Sequence, residues 1–324
     1  MRLVILGAGA IGGVVGGLLA RANRDVLLLA RGTHLEAIRR DGLRVEGPEQ
    51  TFVVQVPVAD SHAPIEWRAD DVVLLATKTQ DAAVGLYELA PPPHVPVVCM
   101  TNGVEAERIA LRQVRNVYGA YVMMPATYLS PGVVQAWAVP VPGVIDIGSY
   151  PDGIGDHAHE IAGELTAAGF TCEVRSTIMR WKRGKLLSNL ANGAEALCGP
   201  AARSSELATR ARAEARACFS AAGLSCTTDT EDAERRTNYQ SRPIGMATRA
   251  GGSTWQSLMR GATRLETDYL NGEIALLGRL HGVPTPVNEA LQSLAAEAAR
   301  IGQAPGAMSI EELTQRVEAL GRNS

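Results

Sequence analysis

Short apolar runs alternate with helical patterns along the first half of the chain. The runs are nearly unbroken and have the length of strands, which is typical of parallel strands buried on both faces. They are Leu3–Leu6, Val26–Ala30, Asp71–Thr77, Val95–Thr101, Val117–Met124 and Val144–Ile147. A Pro131-Gly132 turn separates the last two. Strands that alternate with helices predict an α/β fold with a doubly wound parallel sheet.

The second half of the chain is richer in alanine, leucine, arginine and glutamate. Helical patterns dominate it, so we expect a C-terminal all-helical domain. These patterns occur at 180–192, 204–222, 254–281 and 287–301. The last β-like segment, Phe170–Val174, places the domain boundary between 1–174 and 175–324. Residues 225–252 are polar and predict a long connection between helices.

The first apolar run leads directly into a glycine-rich turn, in the sequence RLVILGAGAIGG. Gly7 permits the turn, Gly9 lets the backbone approach a pyrophosphate, and Gly12 allows close packing of helix on strand. Ala10 and Ile11 open the helix, whose N-terminal N–H groups would face the phosphates. The order of strand, turn and helix predicts a Rossmann-type dinucleotide-binding domain.

Arg31 follows the second predicted strand. An enzyme selective for NAD would usually place an acidic residue near this point to bind the ribose hydroxyl. A guanidinium instead suits a 2′-phosphate, which it can bind in a bidentate manner. We therefore expect the coenzyme to be NADP(H).

A membrane-spanning helix is the alternative interpretation of residues 1–20. Arg2 precedes about eighteen uncharged residues, and Gly9, Gly13 and Gly17 mimic a helix-pairing pattern. Glycine is too frequent for a lone spanning helix, however, and residues 24–31 complete a second strand at the spacing of a βαβ unit. We therefore expect no membrane association.

Composition limits the classes of partner. The chain has 324 residues, 46% of them hydrophobic, and a net charge of −3, which gives no reason to expect nucleic acid. Five scattered cysteines suit a reducing cytoplasm, where each would be a small buried hydrophobe. Neither the cysteines nor the six histidines have the spacing of a metal site, so we expect no metal.

Polar residues follow two further strands of the predicted sheet. Lys78 follows the run at 71–77, and Asn102-Gly103 follows the run at 95–101. Ligands of open parallel sheets bind beyond the carboxyl ends of the strands. These residues could thus contact a coenzyme or substrate, although a solvated lysine and an ordinary tight turn are equally open interpretations.

Two helical stretches carry candidate chemistry in the second half. Lys185 and Asn189 share one helix face within a basic segment, Arg175 to Lys185, that would favour an anionic substrate. Glu266 lies on a later helical stretch, which Ser253 and Thr254 could cap. A carboxylate near a lysine could keep it protonated. A solvated basic face and a surface ion pair are the alternatives.

These residues together resemble the ketopantoate reductase family, also called 2-dehydropantoate 2-reductases, over nearly the whole chain. The matching motifs are GAGAIGG, Arg31, Thr77-Lys78, Asn102-Gly103, Lys185-Leu186 with Asn189, Glu266 to Gly272, and Gly282-Val283-Pro284-Thr285-Pro286. The resemblance implies NADPH-dependent reduction of a 2-keto acid, with ketopantoate the first candidate, in pantothenate biosynthesis. A homodimer is possible.

The resemblance also implies a role for each matched residue. Lys185 corresponds to the catalytic lysine that donates a proton to the ketone oxygen, and Glu266 to the acid that orients it. Asn102 corresponds to an asparagine near both nicotinamide and substrate, and Lys78 to a lysine near the coenzyme. Asn189 and Thr254 correspond to positions that contact the substrate.

The chain departs from the family pattern after the lysine. Gly193-Ala194 replaces an Asn-Pro pair, and Arg183 replaces a tryptophan, so Lys182 could compete with Lys185 as the catalytic group. We prefer Lys185 because it keeps the spacing to Leu186 and Asn189. We expect these changes to line the substrate side. Another keto acid or an imine is therefore an alternative substrate, and a sensor that binds NADP(H) without turnover is an alternative function.

Overall fold

The computed structural model describes residues 1–321, which form thirteen strands and thirteen α-helices. The strands are β1 (Arg2–Leu6), β2 (Val26–Ala30), β3 (Leu43–Glu46), β4 (Thr51–Val54), β5 (Val58–Asp60), β6 (Asp71–Leu75), β7 (Val97–Cys99), β8 (Val117–Met123), β9 (Ala126–Ser130), β10 (Val133–Ala136), β11 (Ala138–Pro140), β12 (Val144–Ser149) and β13 (Tyr239–Ser241).

The helices connect these strands in the first half and dominate the second. They are α1 (Ala10–Arg21), α2 (Gly32–Asp41), α3 (Thr79–Leu89), α4 (Ala106–Leu111), α5 (Ala158–Ala167), α6 (Ile178–Asn189), α7 (Asn192–Cys198), α8 (Glu206–Ala221), α9 (Asp229–Arg235), α10 (Ser253–Met259), α11 (Asn271–His281), α12 (Pro286–Arg300) and α13 (Ile310–Gly321). Two 3-10 helices, Pro200–Ser204 and Glu266–Tyr269, complete the set within residues 1–321.

A seven-stranded sheet forms the centre of the first half, in the order β12-β8-β7-β6-β1-β2-β5. All neighbours are parallel except β12, which runs antiparallel to β8. The six apolar runs all form strands of this sheet, because their residues are buried on both faces. The predicted α/β class, with a mainly parallel N-terminal sheet and a helical C-terminal part, is confirmed.

Helix α1 lies between this sheet and a second one, which the sequence did not predict. The second sheet has the order β4-β3-β10-β9. A Cβ on Gly16 would lie 2.3 Å from the Leu28 side chain of the main sheet. On the other side of the helix, a Cβ on Gly13 would lie 2.7 Å from Val134 of β10, and one on Gly17 would lie 2.6 Å from Val45 of β3.

Glycine is therefore frequent in α1 because both sheets approach the helix too closely for side chains. The same glycines produced the resemblance to a membrane helix. Across residues 1–321, none of the helices combines the length and the apolar character that crossing a membrane requires.

The chain divides into two compact units. The first comprises Met1–Lys182 and Asp229–Arg249, and the second comprises Arg183–Thr228 and the described residues from Ala250 onwards. The predicted boundary at residue 174 assigns 175–182 and 229–249 differently. Helix α6 contributes residues to both units.

Residues 225–252 are not a simple connection, as the sequence suggested. They contain α9 and β13, and β13 pairs with β11 of the first unit. Asp146 on β12 is fully buried and accepts hydrogen bonds from the guanidinium groups of Arg235 and Arg175. Because these arginines lie far from Asp146 in sequence, no local pattern could reveal this attachment.

Three other predictions of secondary structure were wrong. The stretch 254–281 is interrupted at Gly261, whose φ of +71° ends α10 shortly after that helix begins. Neither Ser253 nor Thr254 caps a helix, because α10 has Gly252 at its N-cap and no side-chain cap. The segment Phe170–Val174 forms only isolated bridges to β12 instead of a strand.

Candidate functional site

The glycine turn after β1 has the geometry that its sequence predicts. Gly7 has a φ of +103°, and a Cβ there would lie 3.0 Å from the backbone nitrogen of Thr77. A Cβ on Gly12 would lie 2.1 Å from the carbonyl oxygen of Gly7. Both positions therefore require glycine for reasons of backbone conformation and packing.

Gly9 differs because a Cβ at this residue would meet no described protein atom within 4 Å. Gly9 is also the N-cap of α1, and no side chain caps the first turn, which begins with Ala10 and Ile11. The N-terminus of α1 thus faces open space with uncapped N–H groups, which suits an anionic group.

Arg31 lies at the carboxyl end of β2, where it is the exposed N-cap residue of α2. One turn later, His34 is buried and contacts the glycine turn. Its Nε2–H donates to the carbonyl oxygen of Ala8 at 2.8 Å, and its Nδ1 accepts from the N–H of Gly132 at 2.9 Å. Burial lowers the pKa of His34 below its usual value. Neutral His34 therefore holds the glycine turn in place through the Ala8 carbonyl. The sequence analysis assigned this residue no role.

The loops after β1, β6 and β7 are connected to one another. The N–H of Ala76 donates to Leu6 and that of Met100 donates to Leu75, which continues the sheet to its carboxyl edge. Lys78 is half-buried at the N-cap of α3, and the adjacent Thr79 donates its hydroxyl to the carbonyl oxygen of Asn102 at 3.0 Å. The predicted contacts of the first unit therefore share one edge of the sheet.

Lys182 lies beneath the loop that carries Asn102. Its Nζ donates to the carbonyl oxygens of Cys99 and Thr101 at 3.3 and 3.1 Å, and it lies 2.5 Å from Oε1 of Glu107. Burial raises the pKa of the Glu107 carboxyl, and the Lys182 ammonium opposes that shift. Lys182 thus donates two hydrogen bonds to backbone carbonyls and forms an ion pair with Glu107.

The basic segment from Arg175 to Lys185 is largely neutralised. Arg175 pairs with Asp146, Arg180 pairs with Glu231, and Lys182 pairs with Glu107. Three of the five basic residues of this segment therefore have acidic partners, which lie far away in sequence and which no local pattern could reveal. The preference for an anionic substrate stays a prediction.

The other predicted residues all belong to the second unit. Lys185 is half-buried on α6, and Asn189, one turn later, is buried at the end of the same helix. Thr254 lies in the first turn of α10, and Glu266 opens a 3-10 helix. Thr254 is 1% exposed and Glu266 is 3% exposed.

Two long-range hydrogen bonds fix the backbone on either side of Asn189. Nη2 of Arg203 donates to the carbonyl oxygen of Ser188 at 3.1 Å, and Nδ2 of Asn271 donates to that of Leu190 at 3.1 Å. The sequence missed both positioning residues. For Asn271, its place in the stretch that resembles the family was the only available signal.

Arg203 also connects this helix to the element that carries Thr254. Its Nη1 donates to Glu195 at 2.8 Å, and Glu195 accepts the N–H of Gly252 at 3.2 Å. Asn192 accepts from the same Nη1 at 2.8 Å. These contacts link the backbone next to Asn189 to Gly252, two residues before Thr254.

Several buried polar atoms of this unit have no hydrogen-bond partner among the described residues. They are Oγ1 of Thr227, Oγ of Ser253, Oγ1 of Thr254, Oγ1 of Thr267 and Oδ1 of Asn271. Buried polar groups in native proteins are nearly always paired, so each of these unpaired atoms could be completed by a ligand or an ordered water. Among the residues that carry these atoms, Thr254 is the one that the sequence predicted as a site residue, and it is 1% exposed.

The departure at Gly193 concerns helix packing. A Cβ there would lie 3.5 Å from the Thr267 side chain and 3.8 Å from that of Ala295. Gly193 therefore allows α7 to approach the 3-10 helix that begins with Glu266.

Within residues 1–321, no group of three or more His, Cys, Asp or Glu side chains is arranged to hold a metal ion.

The lowered pKa of His34 predicts acid sensitivity. The neutral form is favoured on folding, so its stabilising contribution is complete above the unfolded pKa of about 6.5 and is lost as the pH falls below it. Between about pH 7 and about pH 5, the free energy of unfolding should fall more steeply in the wild type than in His34→Gln, by up to about 1.4 kcal/mol per pH unit. Urea titrations at each pH measure this. Equal slopes for both proteins would contradict the prediction.

Comparison with known families agrees with this arrangement. Residues 3–152 match the family model "Ketopantoate reductase PanE/ApbA", and residues 177–299 match its C-terminal counterpart. A 2-dehydropantoate 2-reductase of Mesorhizobium japonicum is 31% identical over 91% of this chain and 96% of the relative. One of Pyrococcus horikoshii is 33% identical, but the match spans 59% of this chain and only 62% of that relative.

A solved structure supports the same assignment. The PanE/ApbA family ketopantoate reductase of Ralstonia eutropha JMP134 superposes with a TM-score of 0.78 at 28% identity, covering 94% of this chain and all of that one. The fold, both family models and a full-length relative all agree with the resemblance seen in the sequence. The chain belongs to the ketopantoate reductase family.

Proposed function

We propose that this protein reduces a 2-keto acid to a 2-hydroxy acid with NADPH, and that the substrate is 2-dehydropantoate. The observation that carries the proposal is the second unit, in which Lys185, Asn189, Thr254 and Glu266 occur together and the buried Thr254 hydroxyl lacks a partner. The name of the relative from Mesorhizobium japonicum supplies the substrate.

The first unit fits a nicotinamide coenzyme. The open space at Gly9 and the uncapped first turn of α1 suit a pyrophosphate. Exposed Arg31 suits a 2′-phosphate, and Lys78 and Asn102 lie at the same sheet edge. When bound, the coenzyme supplies the hydride.

A positive proton donor is needed at the ketone oxygen, which becomes an alkoxide as the hydride arrives. We assign this role to Lys185, with Glu266 as the acid that orients it. The chain contains 31 lysine and arginine residues, of which only Lys78, Lys182 and Lys185 are lysines. A guanidinium does not give up its proton in proteins, so lysine is the residue that can perform this step.

Lys182 is a poorer candidate for this role. Lys182 is 2% exposed, and its ammonium donates to two backbone carbonyls and pairs with Glu107. Lys185 is half-buried and one helical turn from Asn189. Asn189 and Thr254 would bind the hydroxyl and carboxylate groups of the substrate. Cytoplasmic localisation, a homodimer and a place in pantothenate biosynthesis remain predictions.

Substitution of Gly9 should affect coenzyme binding, whereas substitution of Gly12 should affect stability. Gly9→Ala adds a methyl group in open space, so the protein should fold with nearly unchanged stability but bind NADPH at least about tenfold more weakly. Gly12→Ala places the methyl group against the Gly7 carbonyl and should cost about 1–3 kcal/mol or more. Urea unfolding and titration with NADPH measure both. Wild-type affinity in Gly9→Ala would contradict the assigned phosphate site.

Arg31 should determine the preference for NADPH. Arg31→Ala should weaken NADPH binding about tenfold, because it removes a charge-assisted contact with the 2′-phosphate, and should leave NADH binding unchanged. Arg39→Ala, on the exposed side of the same helix, is the matched control. Coenzyme titrations measure both affinities, and an equal loss for NADPH and NADH would remove Arg31 from this role.

Lys185→Met should lower kcat/KM for 2-dehydropantoate by about 10²–10⁴-fold while NADPH binding is retained. Arg300→Met, at an exposed position at the end of α12 in the same unit, is the matched control and should leave kcat/KM unchanged. Absorbance at the NADPH band follows turnover. Full activity in Lys185→Met would exclude it as the proton donor.

The same assay distinguishes the alternatives. If the protein reduces another keto acid or an imine more efficiently than 2-dehydropantoate in a substrate panel, that compound is its substrate instead. NADPH binding without any turnover across the panel would favour a sensor.

A further inference from the structure

We propose that Lys182 is a positioning residue for Asn102, so that the ion pair with Glu107 serves to hold the substrate-side loop after β7. The proposal rests on the proposed function, in which Asn102 contacts nicotinamide and substrate. Lys182, Glu107 and Asn102 all belong to the first unit.

Three oxygen atoms surround Nζ of Lys182. The carbonyl oxygens of Cys99 and Thr101 lie 3.3 and 3.1 Å away, and Oε1 of Glu107 lies 2.5 Å away. Lys182 is 2% exposed and Glu107 is 0% exposed. Two hydrogen bonds and one buried ion pair therefore hold the ammonium in place.

The three oxygens around Lys182 come from three successive segments of the chain. Cys99 is the last residue of β7, Thr101 immediately precedes Asn102, and Glu107 lies in the first turn of α4. One side chain therefore ties the strand end, the middle of the loop and the start of the following helix. Thr79, at the start of α3, also holds this loop, because its hydroxyl donates to the carbonyl oxygen of Asn102 at 3.0 Å.

Lysine fits this position better than arginine would. Gly119 of β8 leaves room for the stem of Lys182, since a Cβ there would lie 3.3 Å from Cδ of Lys182. A compact ammonium fits three converging oxygens, whereas a planar guanidinium directs its donors differently. The chain uses arginine for nearly all its basic residues, and Lys182 is one of its three lysines.

The buried pair of Lys182 and Glu107 should contribute little net stability. Removing both charges from water is costly, and a buried ion pair is often no more stable than apolar residues of similar volume. The geometry that the pair imposes on residues 99–107 is therefore the function that we assign to it. Since Lys182 contacts backbone carbonyls, its effect on turnover would pass through Asn102.

Three variants separate positioning from simple stability. Lys182→Met removes the donor and leaves Glu107 without its partner. Lys182→Met combined with Glu107→Gln removes both charges, so stability should recover while both carbonyls still lack their donor. Arg2→Met is the matched control, because it breaks the buried ion pair of Arg2 with Asp71 at the amino end of β1 and β6.

We expect both Lys182 variants to lose at least about tenfold in kcat/KM for 2-dehydropantoate, with NADPH affinity within about twofold of the wild type. Arg2→Met should lose stability but keep its kcat/KM. Recovery of wild-type kcat/KM in the double variant, or an equal kinetic loss in Arg2→Met, would overturn the proposal.

A second readout needs no activity. Amide hydrogen exchange of residues 100–105 in the free protein should be faster in the double variant and unchanged in Arg2→Met. Unchanged exchange in the double variant would overturn the positioning role, even if Lys182→Met alone does not fold. Absence of turnover in the wild type, together with faster exchange in the double variant, would instead overturn the proposed function and leave the contact between Lys182 and the loop established.

Discussion

Parallel pairing of β1 with β6 and of β6 with β7 places three strand ends side by side. The hydrogen bonds from Ala76 to Leu6 and from Met100 to Leu75 extend this alignment into the loops. The glycine turn, Lys78 and Asn102 follow these three strands, and Arg31 follows β2 on the other side of β1. The proposed coenzyme site depends on this pairing, because residues separated by up to 95 positions share one edge only if the strands are neighbours and run in the same direction.

Much of this part of the fold follows from the sequence. Six continuous apolar runs predicted the six main strands, and the glycine spacing predicted the turn and helix after β1. The second sheet was missed because its four strands are short, and Thr51–Val54, for example, is only partly buried. The contacts of Gly13 and Gly17 with that sheet show why glycine continues along α1 beyond the turn. Sequence periodicity reports on burial, but it does not identify the partner that causes it.

Long-range polar contacts set the limit of prediction for the site. Lys185, Asn189, Thr254 and Glu266 could be chosen because their spacing resembles a known family. The residues that hold them could not, since Arg203 and Asn271 act on backbone carbonyls that carry no sequence signal. Lys182 and Lys185 look alike in the sequence, and only burial and partners distinguish them. Glu107, the acid that pairs with Lys182, precedes it by 75 positions.

The most direct measurement is a crystal structure of the protein with NADP⁺ bound. The account predicts the pyrophosphate on the first-turn N–H groups of α1 beside Gly9, the 2′-phosphate on Arg31 and the nicotinamide next to Asn102. A coenzyme bound elsewhere on the chain, or bound at this edge with the nicotinamide far from Asn102, would contradict it.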